Sequence, residues 1–203
     1  MRGRFITIEG IDGAGKSTQT ARLLELLEGK GLNVVHTREP GGTPPGEKIR
    51  AMLLSDDMGE TAETLLFFAA RAEHVEKVIR PALEEGRWVV SDRFTDATYA
   101  YQAGGKGFPG DKIEALEKWT LGDFEPDLTI LFDIAPAKAA ARLRARAGDE
   151  DRFERMGEEF FTRVREAYLH RARKAPERFL IVDAEKSPDE VAARIASGVA
   201  KWL

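Results

Sequence analysis

The chain has 203 residues, 42% of them apolar, which suits one domain with a sizeable core. Its formal charge of −4 argues against binding to a nucleic-acid backbone, and the lack of cysteine excludes disulfides and thiolate metal sites. The apolar run in the basic N-terminus MRGRFITIEG is too short for a secretory signal and no run reaches the length of a membrane span, so a cytoplasmic protein without a membrane partner is expected.

Residues 5–9 are apolar and β-branched and predict the first strand. Residues 17–30 have helical period, and between the two lie Gly10, Ile11, Asp12, Gly13, Ala14, Gly15 and Lys16. With Ser17 this is G-x-x-x-x-G-K-[ST], a P-loop in its proper strand-to-helix context. Glycine destabilises regular structure by roughly 0.5–1 kcal/mol relative to alanine, so three of them here need a reason. They let successive N–H groups point inward around phosphate oxygens, and the helix adds its positive end. Lys16 is placed to reach the β and γ phosphates of ATP, Ser17 to ligate Mg²⁺, and Thr18 completes the candidate ATP site. A GTPase would read guanine with N-K-x-D, but Asn33 is the only asparagine and Val34 follows it.

Residues 33–37 predict a second strand, residues 38–48 an irregular mobile stretch, and residues 47–54 a short helix. A long helix over 62–85 follows, interrupted near its end by Pro81. Leu65, Ala69, Ala72, Val75 and Ile79 form its apolar stripe; Glu63, Phe67, Arg71 and His74 lie opposite. Phe67 is thus off the core face, beside an arginine one turn on, and fits either a base-stacking site or a subunit contact. The third strand, 88–92, ends in Asp92 and Arg93. At a strand's carboxyl end Asp92 suits Mg²⁺ or its waters and Arg93 suits a phosphate, although the pair also fits a surface ion pair. Helices over 96–102, 112–121, 137–146, 158–174 and 188–202 alternate with strands over 128–133 and 179–183. A parallel sheet covered on both faces follows from that alternation. A second irregular stretch spans 144–154.

Six motifs in register resemble the thymidylate kinases: EGIDGAGKST, TREPGGT, LLFFAAR, SDRFTDATYAYQ, LGDFEPDLTILFD and RARAGDEDRFE. The resemblance implies a single P-loop NTPase domain over 1–203, three-layered α/β/α with a five-stranded parallel sheet and a mobile lid at about 142–154. It implies transfer of the γ-phosphoryl group of Mg·ATP to dTMP, giving dTDP and ADP for dTTP synthesis, by a homodimer. Asp12 would approach the acceptor's sugar and phosphate, and Glu39, with Arg38 nearby, would organise Mg²⁺ and that phosphate. Arg50 would approach the acceptor, Phe67 would stack on thymine and Arg71 would bond its O4 edge. Arg93 would hold the phosphate, Thr98 and Gln102 would meet the base, and Tyr101 would lie under the sugar. One branch of the family has arginine where this chain has Gly13, so the resemblance is to the other, in which lid arginines supply the charge. Arg142, Arg144 and Arg146 are the candidates, with Arg152 beyond them; the same arginines also fit a solvated face paired with Asp149, Glu150 and Asp151.

Overall fold

In the computed structural model, which describes residues 2–145 and 152–203, five parallel strands form one sheet in the order β2-β3-β1-β4-β5. β1 (Phe5–Gly10) leads into α1 (Lys16–Gly29), β2 (Val34–Arg38) into α2 (Pro44–Ser55), and α3 (Glu60–His74) follows. A π-helical turn (Val75–Ile79) joins α3 to α4 (Arg80–Glu84), which precedes β3 (Trp88–Asp92). Next come α5 (Thr95–Thr98) with a second π-helical turn (Tyr99–Gly105), α6 (Gly110–Leu121), β4 (Leu128–Asp133) and α7 (Pro136–Arg144). α8 (Glu158–Lys174), β5 (Phe179–Asp183), α9 (Pro188–Val199) and a short 3₁₀ turn (Ala200–Trp202) complete the chain.

Alternation along the strands builds the core. Ile6, Ile8 and Val90 meet Leu23 and Leu27 of α1 on one face. Phe5 and Val89 meet Ile79 and Leu83 on the other. β1 sits at the centre, between β3 and β4, and the loops after β1, β2 and β3 gather at one edge. That edge is where an open parallel sheet of this kind leaves a crevice for ligands.

Three expectations change. The helix expected over 62–85 is α3, a π turn and α4: Arg80 N–H bonds Val75 O, because Pro81 offers no donor and its ring crowds the preceding turn. Within α3 the faces are the reverse of the apolar pattern. Leu65 is 48% exposed, whereas Glu63, Arg71 and His74 are buried, each paired with a distant partner. Finally, the stretch expected to be irregular at 38–48 contains the start of α2. Thr43 caps that helix by accepting from Gly46 N–H, and prolines fill its first positions, where no N–H is needed. α7 ends at Arg144, and Arg146 lies outside the described residues.

The π turn Tyr99–Gly105 packs closely on α8. A Cβ added to Gly105 would lie 2.4 Å from Phe160 Cε2 and 2.7 Å from Cζ, inside a cluster of buried rings. Gly105→Ala is therefore expected to destabilise the protein by about 1–3 kcal/mol in chemical denaturation. A change within about 0.5 kcal/mol, as at an open surface site, would show that the turn has room to yield.

Candidate active site

β1 ends on Gly10 at φ 136, so close to β4 that a Cβ would fall 2.7 Å from Phe132 O. The chain then curls through Gly13 (φ 82) and Gly15 (φ 85), conformations that side chains resist. No side chain caps the start of α1, which leaves its first N–H groups open to an anion. Lys16 folds back over the loop: its Nζ donates to Gly10 O and Ile11 O, both at 3.0 Å, and stands 3.8 Å from Asp12 Oδ1. Burial lowers its pKa, with Arg93 adding to that effect and Asp12 opposing it.

Arg93 follows β3 at φ 69, the only positive φ outside glycine among the described residues. Left-handed backbone is unfavourable there by roughly 1–2 kcal/mol, so the surrounding contacts must hold it. They are dense. Arg93 Nη2 donates to Asp12 Oδ1 at 2.6 Å and to Tyr101 OH at 2.9 Å. Nη1 donates to Gly10 O and to Tyr168 OH, both at 3.1 Å. Tyr101 OH in turn donates to Asp12 Oδ2 at 2.8 Å, and Tyr168 OH to Glu9 Oε2 at 2.7 Å. Burial works against the Asp12 charge, but Arg93 and Lys16 outweigh it and bring its pKa down to about 2. Glu9 goes the other way: burial, reinforced by Asp96, raises its pKa to about 8.

Across a cavity of about 560 Å³ stands the wall made by α3 and α5. Arg71, 2% exposed, donates from Nε to Glu39 Oε2 at 2.7 Å and from Nη2 to Phe94 O and Thr98 Oγ1. Its Nη1 is buried without a partner. His74 faces Glu39 Oε1 at 3.0 Å and Thr37 Oγ1 at 2.7 Å, so both Glu39 oxygens are engaged. Asp92 Oδ1, at the end of β3, is buried without a partner. No group of three or more His, Asp or Glu side chains among the described residues forms a metal cage.

Most of the residues singled out by sequence converge on this cavity. Asp12 through Thr18 line its P-loop end, with Asp92 and Arg93 at the middle. Glu39, Arg50, Phe67, Arg71, Thr98, Tyr101 and Gln102 line the opposite end. Gly10 and Ile11 lie beneath it and supply carbonyls to Lys16. Arg38 is not in the lining: it points out and pairs with Glu47 at 2.8 Å. Arg142 reaches the lining and donates to Ala184 O at 2.9 Å, whereas Arg144 is exposed and outside it.

Tyr168 and Phe153 were not anticipated. Tyr168 reads as a core position of α8 by spacing, and nothing local to it signals a bond to Arg93, 75 positions away. Phe153 approaches Phe67 at 6.2 Å and Tyr101 at 6.1 Å between ring centres. Its only sequence signal is its place in the DRFE stretch.

Comparisons with known proteins point to one family. The family model described as thymidylate kinase matches residues 8–195. A thymidylate kinase of Methylobacillus flagellatus is 56% identical over 191 residues, 94% of each chain. One from Burkholderia vietnamiensis is 56% identical over 198 residues, 96% of each. The crystal structure of a thymidylate kinase from Ehrlichia chaffeensis superposes with a TM-score of 0.79 at 34% identity, covering 98% of this chain and 99% of that one.

The raised pKa of Glu9 gives a pH signature. Its unfolded value is 4.5 and its folded value about 8, so between these the folded state holds the extra proton. Stability from this group is complete below pH 4.5 and is lost as pH rises through about 8. Glu9→Gln, which stays neutral and still accepts from Phe94 N–H, should therefore gain melting temperature over the parent progressively from pH 5 to pH 8. Parallel melting curves for parent and variant across that range would count against the assignment.

Proposed function

This chain belongs to the thymidylate kinase family, nucleoside monophosphate kinases that move the γ-phosphoryl group of ATP to dTMP for dTTP synthesis, and we propose a division of its cavity between the two nucleotides. ATP lies at the P-loop end and dTMP between Arg93 and the α3 wall. The observation that carries the acceptor half is Arg71: a buried guanidinium with one nitrogen, Nη1, unmatched needs an acceptor from a ligand, and the pyrimidine O4 supplies it. Phe67 offers its face to the base, Thr98 and Gln102 its polar edge, and Tyr101 lies under the sugar. Arg93 and Arg50 meet the acceptor phosphate, with Asp12 beside the sugar.

The reaction forms a bond from a dTMP phosphate oxygen to the γ-phosphorus and breaks the bond to the β-γ bridging oxygen, releasing ADP. The attacking phosphate is already an anion, so no general base is required. Lys16 exchanges the carbonyls of Gly10 and Ile11 for the β and γ phosphates. Ser17 and the unpartnered Asp92 Oδ1 fit Mg²⁺ or its waters, and the ion would offset charge on the transferring oxygens. Glu39 serves at one remove in this reading, because its oxygens hold Arg71 and His74.

Arg142 is the lid cation in this reading. A Cβ on Gly13 would lie 2.4 Å from Ala139 O, so the bare glycine lets α7 rest on the P-loop and brings Arg142 alongside Gly15. Arg144 faces away and Arg146 lies outside the described residues. The whole chain acts as one domain in the cytoplasm, with no span long and apolar enough to cross a membrane among the described helices.

Lys16→Ala should abolish most turnover while calorimetry shows dTMP affinity little changed. Arg93→Ala should weaken dTMP binding at least about tenfold, as expected for a lost charge-assisted contact. Unchanged dTMP affinity in the Arg93 variant would remove it from the acceptor site.

We infer a homodimer as well. Met52 of α2, Leu65 of α3 and Trp119 of α6 are exposed at 46%, 48% and 81%, and α3 packs against both α2 and α6. Light scattering should give twice the 22.5 kDa chain mass, and a single-chain mass at micromolar concentration would refute it.

A further inference from the structure

Glu63 has no place in the reaction described so far, yet its carboxylate is fully buried and takes three side chains from two separate segments. Gln102 Nε2 donates to Oε1 at 3.0 Å. Lys106 Nζ donates to both oxygens, at 2.8 and 2.6 Å. Arg152 Nη2 donates to Oε2 and its Nη1 to Asp56 O. Beside Arg152, Phe153 lies against Phe67 and Tyr101, with Lys106 Nζ 5.0 Å from its ring centre. A buried carboxylate between two cations is an ordinary way to hold a fold together. The amide of Gln102 is what makes this one more than that.

We propose that Glu63 is a positioning residue that fixes the hydrogen-bond polarity of the base pocket through Gln102. The inference rests on the assignment of Gln102 to the base. A glutamine amide presents a donor or an acceptor according to its flip, and its neighbours decide which. A carboxylate only accepts, so it takes the Gln102 nitrogen and leaves the Gln102 Oε1 to meet the ligand. Lys106 and Arg152 donate to the Glu63 oxygens and hold it in that geometry. The pocket edge is then a donor at Arg71 Nη1 and an acceptor at Gln102 Oε1. Thymine, with O4 accepting and N3–H donating, matches both. Cytosine, with an amino group at C4 and a bare N3, opposes both.

Glu63→Gln is the sharpest test. Its single oxygen stays with Lys106 and Arg152, its amino group turns to Gln102, and Gln102 flips to present a donor to the cavity. The ratio of kcat/KM for dTMP over dCMP should fall at least about tenfold, modest beside the discrimination available to a site built for one hydrogen-bond pattern. KM for ATP should stay within about twofold, since the donor end is untouched. Gln102→Leu, measured alongside, separates the two claims. If Gln102→Leu changes the ratio and Glu63→Gln leaves it as in the parent, the role of Glu63 is overturned and the base assignment stands. If Gln102→Leu leaves dTMP affinity and the ratio unchanged, the base assignment and this inference fall together. Should Glu63→Gln not fold, Glu63→Gln with Lys106→Met keeps the net charge of the cluster. The same fall in the ratio is expected there, and an unchanged ratio is again the contrary result.

Discussion

One charge pair fixes the geometry of this cavity: Arg93 against Asp12 at 2.6 Å, joining the residue after β3 to the loop after β1. The two strands are neighbours in register, so the pair spans the crevice where the sheet's central strands end. Its formation accounts for the left-handed backbone of Arg93, which aims the guanidinium back toward Gly10 O rather than out to solvent. It also accounts for the Asp12 charge persisting in a buried site, since Arg93 is the largest influence holding it ionised against desolvation.

The consequence for ligand binding is an exchange of partners rather than a simple neutralisation. Arg93 already has four acceptors around its two terminal nitrogens, and Lys16 has two carbonyls. A phosphate entering the cavity therefore meets cations that are aimed and desolvated, which removes most of the ordering entropy from the binding step. The tyrosines support this: Tyr101 and Tyr168 each accept from Arg93 and donate onward to an acidic side chain, Asp12 or Glu9, and burial raises both phenol pKa values, which keeps them as donors.

Much of this was legible in the chain. Strand–helix alternation gave all five strands to within a residue at either end, because their apolar runs are bounded by turn residues. The P-loop was legible for a different reason, since few sequences place three glycines and a lysine between a strand and a helix without a ligand. What misled was α3. Hydrophobic periodicity assigns polar stripes to solvent, but Glu63, Arg71 and His74 are buried by partners far off in sequence: Arg152 at 89 positions from Glu63, Glu39 at 32 from Arg71. No local pattern contains such information. Of the two π turns, the break before Pro81 was signalled by that proline, whereas the turn Tyr99–Gly105 follows from packing on α8 and leaves no periodic trace.

The same long-range pairing links the α3 wall of the cavity to Arg152 and Phe153. Arg152 and Phe153 are neighbours in sequence, and they serve opposite sides of one wall: the arginine reaches Glu63 and Asp56, and the phenylalanine closes on Phe67 and Tyr101. Arg152 is thereby joined through Glu63 to the amide of Gln102. On the other side of the cavity, α7 rests on Gly13 of the P-loop. α7 is thus seated against the P-loop by a glycine too small to push it away, and Arg152 is seated against α3 by a buried carboxylate, so each end of the cavity leans on a residue from outside the sheet.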